Sequence, residues 1–441
     1  MSWSDADFVS WFRSSAPYIN AHRNKVFVIS VGGEAVADAG FAHLVHDLAL
    51  LNSLGVRVVL VAGARPQIDA RLEARGVTAR YHDGLRITDD PALECVKEAA
   101  GTVRVEIEAL LSMGVANSPM AGFRIHVASG NYVTARPVGV RDGVDFLHTG
   151  QVRRVDVDAL QERLAAGSIC LLGPLGYSPT GEVFNLAAEE VALAVARALR
   201  AEKLIYVGED EPPSNADGQL IRELDLHQAI GLLHQWREQQ VAEERLRLLD
   251  GAVRACQAGV RRAHLLSRRL DGGLLLELFT RDGVGTLVAG DPFETVRRAT
   301  VEDVGGILEL IEPLERDGIL VRRSREALEM AIEEFIVIER DGMVIASAAL
   351  SVHADDSMGE LACFAIHTDY RSGGRGDRLL RHAEREARRH GVTRLFVLTT
   401  QTAHWFQERG FEPATLEDLP MQRQALYNLK RNSRVFIKRL A

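Results

Sequence analysis

ELACFAIHTDYRSGGRGDRLLRHAEREA, residues 360–387, decides how the second half of the chain is read. Its first seven residues are a strand-like run, and its last thirteen space leucines and alanines as a helix does, among arginines and glutamates. Between them stands Arg371-Ser372-Gly373-Gly374-Arg375-Gly376. Glycines let a backbone pass close to an anion, and several N–H groups then point into one concavity. The helix behind them adds about half a positive charge at its N-terminus. Arg371 and Arg375 add whole charges. The arrangement suits a diphosphate. A glycine-rich turn before a helix also serves plain chain reversal, so its surroundings must carry the reading.

Those surroundings run in a definite order. A strand is expected over 296–299, a helix over 304–314, and a hairpin of strands 335–339 and 343–350 about Arg340-Asp341-Gly342. Strand 360–366 and the arginine–glycine turn follow, then a basic helix over 375–390, a strand over 395–399 and a helix over 403–409. This order resembles the GCN5-related N-acetyltransferases. The resemblance implies an α/β domain whose strand before the turn splays from its neighbour and admits acetyl-CoA. The diphosphate would lie on Arg371, Ser372, Gly373, Gly374, Arg375 and Gly376. The thioester carbonyl would meet backbone N–H groups of strand 361–366, which includes Cys363 and Ala365.

In that family acetyl passes directly to an amine, so Cys363 is read as a small core residue rather than a nucleophile. Glu360 is the expected base, acting through a water; the alternative is a solvated edge glutamate. Many members carry a tyrosine on the helix after the next strand to protonate the departing thiolate. VLTTQTAHWFQERGF, 397–411, has none. The hydroxyls on offer are Thr399, Thr400 and Tyr427, and Thr399 is taken as the proton donor. LVRRSREALEM (320–330) and NLKRNSRVF (428–436) put arginine clusters where acceptor loops of this fold lie. Guanidinium forks suit carboxylates, although charge runs are more often solvated surface.

The first half alternates in the same α/β manner. Strands are expected over 26–31, 56–62, 169–172, 204–207, 261–267 and 274–279. Helices are expected over 41–54, 66–75, 91–113 and 186–199, with a charged helical stretch over 223–247. FVISVGGEAV (27–36) and GARPQID (63–69) resemble the two glycine-rich strand-to-helix turns of the amino-acid kinase family, acetylglutamate kinases in particular. That resemblance also calls for two lysines and an aspartate, and Ser30, Leu248 and Glu189 stand in their places. Without its cations a phosphoryl-transfer site loses most of its charge stabilisation. The domain is therefore read as a degenerate kinase; a bifunctional enzyme whose kinase still works is the alternative.

Arginine-inhibited members of that family carry an N-terminal helix and an effector pocket. The matching residues here are Tyr18 after a helix over 7–16, His264 on a late strand, Glu277 on the next, and Gly283 and Gly285 in the turn beyond. Phe8, Trp11 and Phe12 make that helix apolar enough to join subunits.

A degenerate kinase domain followed by such an acetyltransferase resembles the bacterial N-acetylglutamate synthase family over nearly the whole chain. INAHRNKVFV, VAGARPQID, GILVRRSRE, HWFQERGF and LYNLKRNS carry the match. It implies acetyl transfer from acetyl-CoA to L-glutamate, the first step of arginine biosynthesis, with feedback inhibition by L-arginine. It implies Leu320, Arg322, Arg431 and Ser433 as the glutamate site, and a homo-oligomer, a hexamer by resemblance. Another amino-acid acceptor is the alternative. The expected division is an oligomerisation helix over 1–20, a kinase-like domain over 21–289, a linker over 290–294 and an acetyltransferase domain over 295–441.

Composition agrees with this reading. Of 441 residues 46% are hydrophobic and 26% charged, an ordinary globular balance. A net charge of −9 argues against nucleic acid or anionic membrane as a partner. Cys95, Cys170, Cys256 and Cys363 stand far apart, so no metal site is expected, and a reducing compartment is. The N-terminus lacks a signal-peptide apolar core, and the expected location is the cytoplasm.

Overall fold

The computed structural model describes residues 4–113, 121–122, 124–215, 217–280, 282–290, 294–340, 342–371, 374–425 and 433–440. Ser372, Gly373, Tyr427 and Arg431 lie outside the described residues, as do positions 291–293 of the expected linker. Two compact units divide the chain, Met1–Asp291 and Pro292–Ala441. Among the described residues no helix is long and apolar enough to cross a membrane.

The first unit is built on eight strands: β1 (Val26–Val31), β2 (Arg57–Ala62), β3 (Val127–Ala128), β4 (Ile169–Leu172), β5 (Lys203–Gly208), β6 (Glu223–Asp225), β7 (Arg262–Ser267) and β8 (Thr286–Ala289). Their order across the sheet is β6-β8-β7-β5-β1-β2-β4-β3. Every neighbouring pair is parallel except β7 with β8. The continuous apolar runs of β1 and β2 follow from burial on both faces. Alternate residues of β1 serve opposite cores: Val28 packs with Val59, Leu204 and Ala192, while Phe27 and Ile29 pack with Leu48, Leu60 and Val96. β1 lies between β2 and β5, where the strand order changes direction, and such points hold ligands beyond the strands' carboxyl ends. Helices α2 (Arg65–Ala74) and α3 (Ala188–Leu199) begin near this point.

Three expectations need correction. The N-terminal helix α1 runs Asp5–His22, beyond the 7–16 expected, and Ser4 caps it by accepting the Asp7 N–H at 3.2 Å. The stretch 223–247 is not one helix. It contains β6, a helix Leu226–Glu238 opened by an Asp225–Gln228 capping box, and the start of α4 (Glu243–Gln257). Residues 274–279, expected as a strand, lie in helix α5 (Gly273–Phe279). An apolar run such as LLLELF fits either element by composition; the burial of Leu274 and Leu278, four apart, is the helical pattern. A four-stranded sheet of Val133–Pro137, Gly150–Val155, Leu175–Tyr177 and Val183–Asn185 was not anticipated.

In the second unit seven strands make one sheet: β9 (Glu294–Arg298), β10 (Phe335–Arg340), β11 (Met343–His353), β12 (Met358–Ile366), β13 (Arg394–Thr399), β14 (Glu412–Ala414) and β15 (Arg434–Arg439). The order is β9-β10-β11-β12-β13-β15-β14. Only β12 with β13 is parallel, and their pairing stops after Met358↔Arg394, Gly359↔Leu395 and Glu360↔Phe396. Beyond Glu360 the two strands splay.

Against β11, strand β12 carries a bulge: Ala349 faces Ala362 and Ser347 faces Ala365, so Cys363 and Phe364 share one position. Cys363 has a φ of 49°, in the left-handed region. Ala362 and Cys363 consequently pack into the same core, that of helix α6 (Val304–Arg316), while Leu361 and Phe364 face that of helix α7 (Arg375–Arg389).

Candidate active site

Glu360 is the last residue of β12 still paired with β13, at the apex of the opening. Its carboxylate is not solvated: Oε2 accepts from Arg423 Nε at 2.6 Å and Oε1 from Arg423 Nη2 at 3.0 Å. Arg423 belongs to a short helix, α8 (Met421–Ala425), between β14 and β15. Sequence reasoning missed Arg423, which lies 63 residues from its partner in a stretch without a motif.

Thr399 ends β13 and is buried. Its hydroxyl lies 2.9 Å from Thr402 Oγ1 and accepts the Thr402 N–H at 3.0 Å, so it also caps the turn that follows. Burial pushes the Cys363 thiol above its ordinary range, which disfavours the thiolate a nucleophile needs. Its carbonyl accepts from Ser347 Oγ at 3.3 Å, and Ala365 is buried two residues on.

In the arginine–glycine turn Arg371 is exposed. Gly374 precedes α7 with a φ of 70°, a conformation that favours glycine. Gly376 is required by packing: a Cβ there would lie 2.7 Å from Trp405 Cζ2. Arg375 turns toward Glu294, with Nε 2.6 Å from Oε1, and lies over the Tyr370 ring. Part of the charge assigned to the anion is therefore engaged by the protein itself. Of the residues expected to hold the acceptor, Leu320 is half-buried against the α6 core and Arg322 is exposed. Ser433 directly precedes β15, whose Arg434 pairs with Thr399.

Of the residues expected at the effector pocket, His264, Glu277, Gly283 and Gly285 come together in the first unit. His264 Nδ1 lies 2.6 Å from Glu277 Oε1, and Glu277 Oε2 accepts the N–H groups of Val284 and Gly285, each at 2.8 Å. Gly283 has a φ of 60°, and a Cβ there would fall 2.4 Å from Glu277 Oε2; one at Gly285 would fall 2.5 Å from the Leu265 carbonyl. Tyr18 lies beside His22 on α1, ring centroids 6.4 Å apart. His22 bonds the Leu278 carbonyl at 2.8 Å.

Lys203, at the start of β5, is buried with Nζ 3.3 Å from His264 Nε2. His22 and Lys203 were missed, although a lone lysine opening the apolar run KLIYVG was a readable signal. Burial, and then the Lys203 charge, lower the His264 pKa to about 4. Burial alone would raise that of Glu277, but the His264 bond and the two backbone N–H groups outweigh it and bring it to about 2. The consistent state is a neutral His264 donating Nδ1–H to an ionised Glu277 and offering Nε2 to Lys203.

At the first glycine turn, a Cβ on Gly33 would lie 2.9 Å from Ala64 Cα, so the two turns press together. A cavity of about 220 Å³ opens beside them, lined by Ser30, Gly63, Arg86, Glu189, Arg247 and Leu248 among others. Arg247 reaches Glu189 at 3.6 Å and Glu243 at 3.1 Å. Where the two lysines would stand, a hydroxyl and an isobutyl group line the wall.

Comparison with known proteins agrees with both halves. Residues 25–267 match the amino acid kinase family and residues 331–413 the acetyltransferase (GNAT) domain. The chain is 56% identical over 434 residues to the amino-acid acetyltransferases of Ectopseudomonas mendocina and Pseudomonas aeruginosa, covering 98% of itself and 100% of each relative. It is also similar to N-acetylglutamate synthase from Neisseria gonorrhoeae, at 41% identity over 98% of this chain and 99% of that one. The TM-score is 0.89 to the crystal structure with coenzyme A and L-arginine, and 0.63 to that with coenzyme A and N-acetyl-glutamate. With a GNAT domain behind an amino-acid-kinase domain, and relatives matched along nearly their entire length, the chain belongs to the amino-acid acetyltransferases.

Proposed function

We propose that the chain transfers the acetyl group of acetyl-CoA to the amino group of L-glutamate, and that L-arginine inhibits the transfer by binding the kinase-like unit. The observation that carries the first half is the opening between β12 and β13, with Glu360 at its apex and the bulge at Cys363 on its wall. Acetyl-CoA, when bound, supplies an acyl group already activated as a thioester. Residues 371–376 and the N-terminus of α7 hold its diphosphate, and backbone N–H groups freed at the bulge hold the carbonyl oxygen as charge develops there. Glu360 takes a proton from the acceptor's ammonium, directly or through a water. Thr399 is positioned as the donor to sulfur. Leu320, Arg322, Arg431 and Ser433 hold the acceptor, and guanidinium forks match its two carboxylates.

Tyr18, His264, Glu277, Gly283 and Gly285 form the effector site, and His22 and Lys203 join them. The proposal includes a cytoplasmic homo-oligomer. Phe8 and Phe12 on α1 are 54% and 56% exposed and stack 6.1 Å apart, an apolar face that a second copy would cover. It also includes a linker at 290–294 between the kinase-like and acetyltransferase domains.

The test is release of free CoA thiol from acetyl-CoA with L-glutamate, with and without L-arginine, by the parent chain and Glu277→Gln. Turnover that arginine suppresses in the parent and not in the variant is expected. Turnover with a different amine and none with glutamate would sink the substrate. Equal inhibition of both chains would move the effector elsewhere.

A further inference from the structure

The fork on Glu360 sits at the point where the proposed base must work. Both carboxylate oxygens are taken by Nε and Nη2 of one guanidinium, at 2.6 and 3.0 Å, and the side chains of Glu360 and Arg423 are 13% and 22% exposed. A carboxylate held by two charge-assisted bonds faces the fork, not an incoming ammonium. Opposite it, β11 offers Ser351, whose hydroxyl bonds Glu334, and β13 offers the buried ring of Phe396.

We propose that Arg423 is a positioning residue that masks Glu360 until the acceptor arrives, and that the acceptor's carboxylate then takes the guanidinium and unmasks the base. This rests on the reading of Glu360 as the base. Three observations support the exchange. Arg423 stands on a helix of five residues, too short to be rigid by its own hydrogen bonds. That helix leads into the segment that ends at Ser433, one of the proposed acceptor residues. The exchange also trades one carboxylate for another on the same guanidinium while the acceptor's ammonium comes to Glu360, so no charge is left buried and unpaired. Glu360, released, accepts one proton from the ammonium; the amine lone pair so exposed attacks the thioester carbonyl, the C–S bond breaks, and the sulfur leaves as the CoA thiol with the second proton shed by the nitrogen. An amine without a carboxylate meets a base still held in the fork, so the device selects amino acids over plain amines.

The experiment measures kcat/KM by thiol release for L-glutamate and for its carboxylate-free analogue, glutamic acid diamide. It uses the full-length parent, Arg423→Gln and Arg423→Lys. Removal of the fork should lower kcat/KM for glutamate at least tenfold and raise it severalfold for the diamide, with Arg423→Lys between. A fall for both amines in the same proportion, as plain loss of structure gives, overturns the proposal. If the diamide is turned over too slowly to measure, a crystal structure of the parent with CoA and glutamate decides: Arg423 on the ligand's carboxylate supports the exchange, and Arg423 still on Glu360 refutes it. A Glu360→Gln chain of unchanged kcat would remove the base itself, an outcome distinct from either.

Discussion

Replacing Glu277 by alanine tests its hydrogen-bond network through stability alone. The carboxylate is 5% exposed and accepts three hydrogen bonds, one from His264 and two from the N–H groups of Val284 and Gly285. Alanine leaves three donors without an acceptor, those of His264 and Gly285 on buried residues and that of Val284 on a half-buried one. Each such donor costs about 1–3 kcal/mol, so a loss of about 3–5 kcal/mol is expected once local relaxation is allowed for. Glutamine keeps the volume and a carbonyl oxygen for the two backbone N–H groups, and should lose about 1–2 kcal/mol by the same reckoning. Urea unfolding followed by far-UV circular dichroism separates the two, provided the transition of the first unit is analysed by itself. Losses below about 1 kcal/mol for alanine, or equal losses for alanine and glutamine, would refute the reasoning. The carboxylate would then be ordered by its neighbours without ordering them.

Other outcomes follow from the same geometry. Glu360→Gln should lower kcat by about 10²–10⁴, the usual worth of a general base, when thiol release is followed at saturating glutamate. Gly376→Ala sets a methyl group 2.7 Å from Trp405 Cζ2 and should cost about 1–3 kcal/mol while raising the KM for acetyl-CoA; an unchanged melting temperature would count against the packing account. His22, lowered from 6.5 to about 4 by burial and then by the Lys203 charge, binds a proton less readily folded than unfolded. The stability this represents is present above pH 6.5 and is lost as pH falls toward 4, about 3 kcal/mol in all. Melting temperatures at pH 7 and pH 5 should therefore differ, and less so in a His22→Gln chain.

The sequence showed most where local chemistry dictates structure. Strands β1, β2, β4, β5 and β7 were read to within a residue or so, because a strand buried on both faces must be apolar throughout. Gly33, Gly374 and Gly376 were legible because a backbone conformation or a close neighbour demands glycine there. Residues 274–279 were misread since a run with five apolar positions in six fits a helix as well as a strand. The four-stranded sheet escaped because its strands are three to six residues long and pair across other elements. No spacing rule joins Glu360 to Arg423, or Lys203 to His264: folding brings them together, and only the assembled sheet and its connections reveal it.

The bulge in β12 has a further consequence. A strand is a two-stroke pattern, one residue up and the next down, and the extra residue at 363–364 shifts that pattern by one beat. Leu361 and Phe364, three apart, therefore share a side that a regular strand would deny them. Removing one residue at 363–364 would restore the regular beat and leave Ala365 and Ile366 on the sides they now occupy, with Ala365 still opposite Ser347. Both cores would keep their alternation, less one side chain. What the strand would lose is the unpaired backbone of the extra residue, so the count here serves the edge of the opening and not the packing.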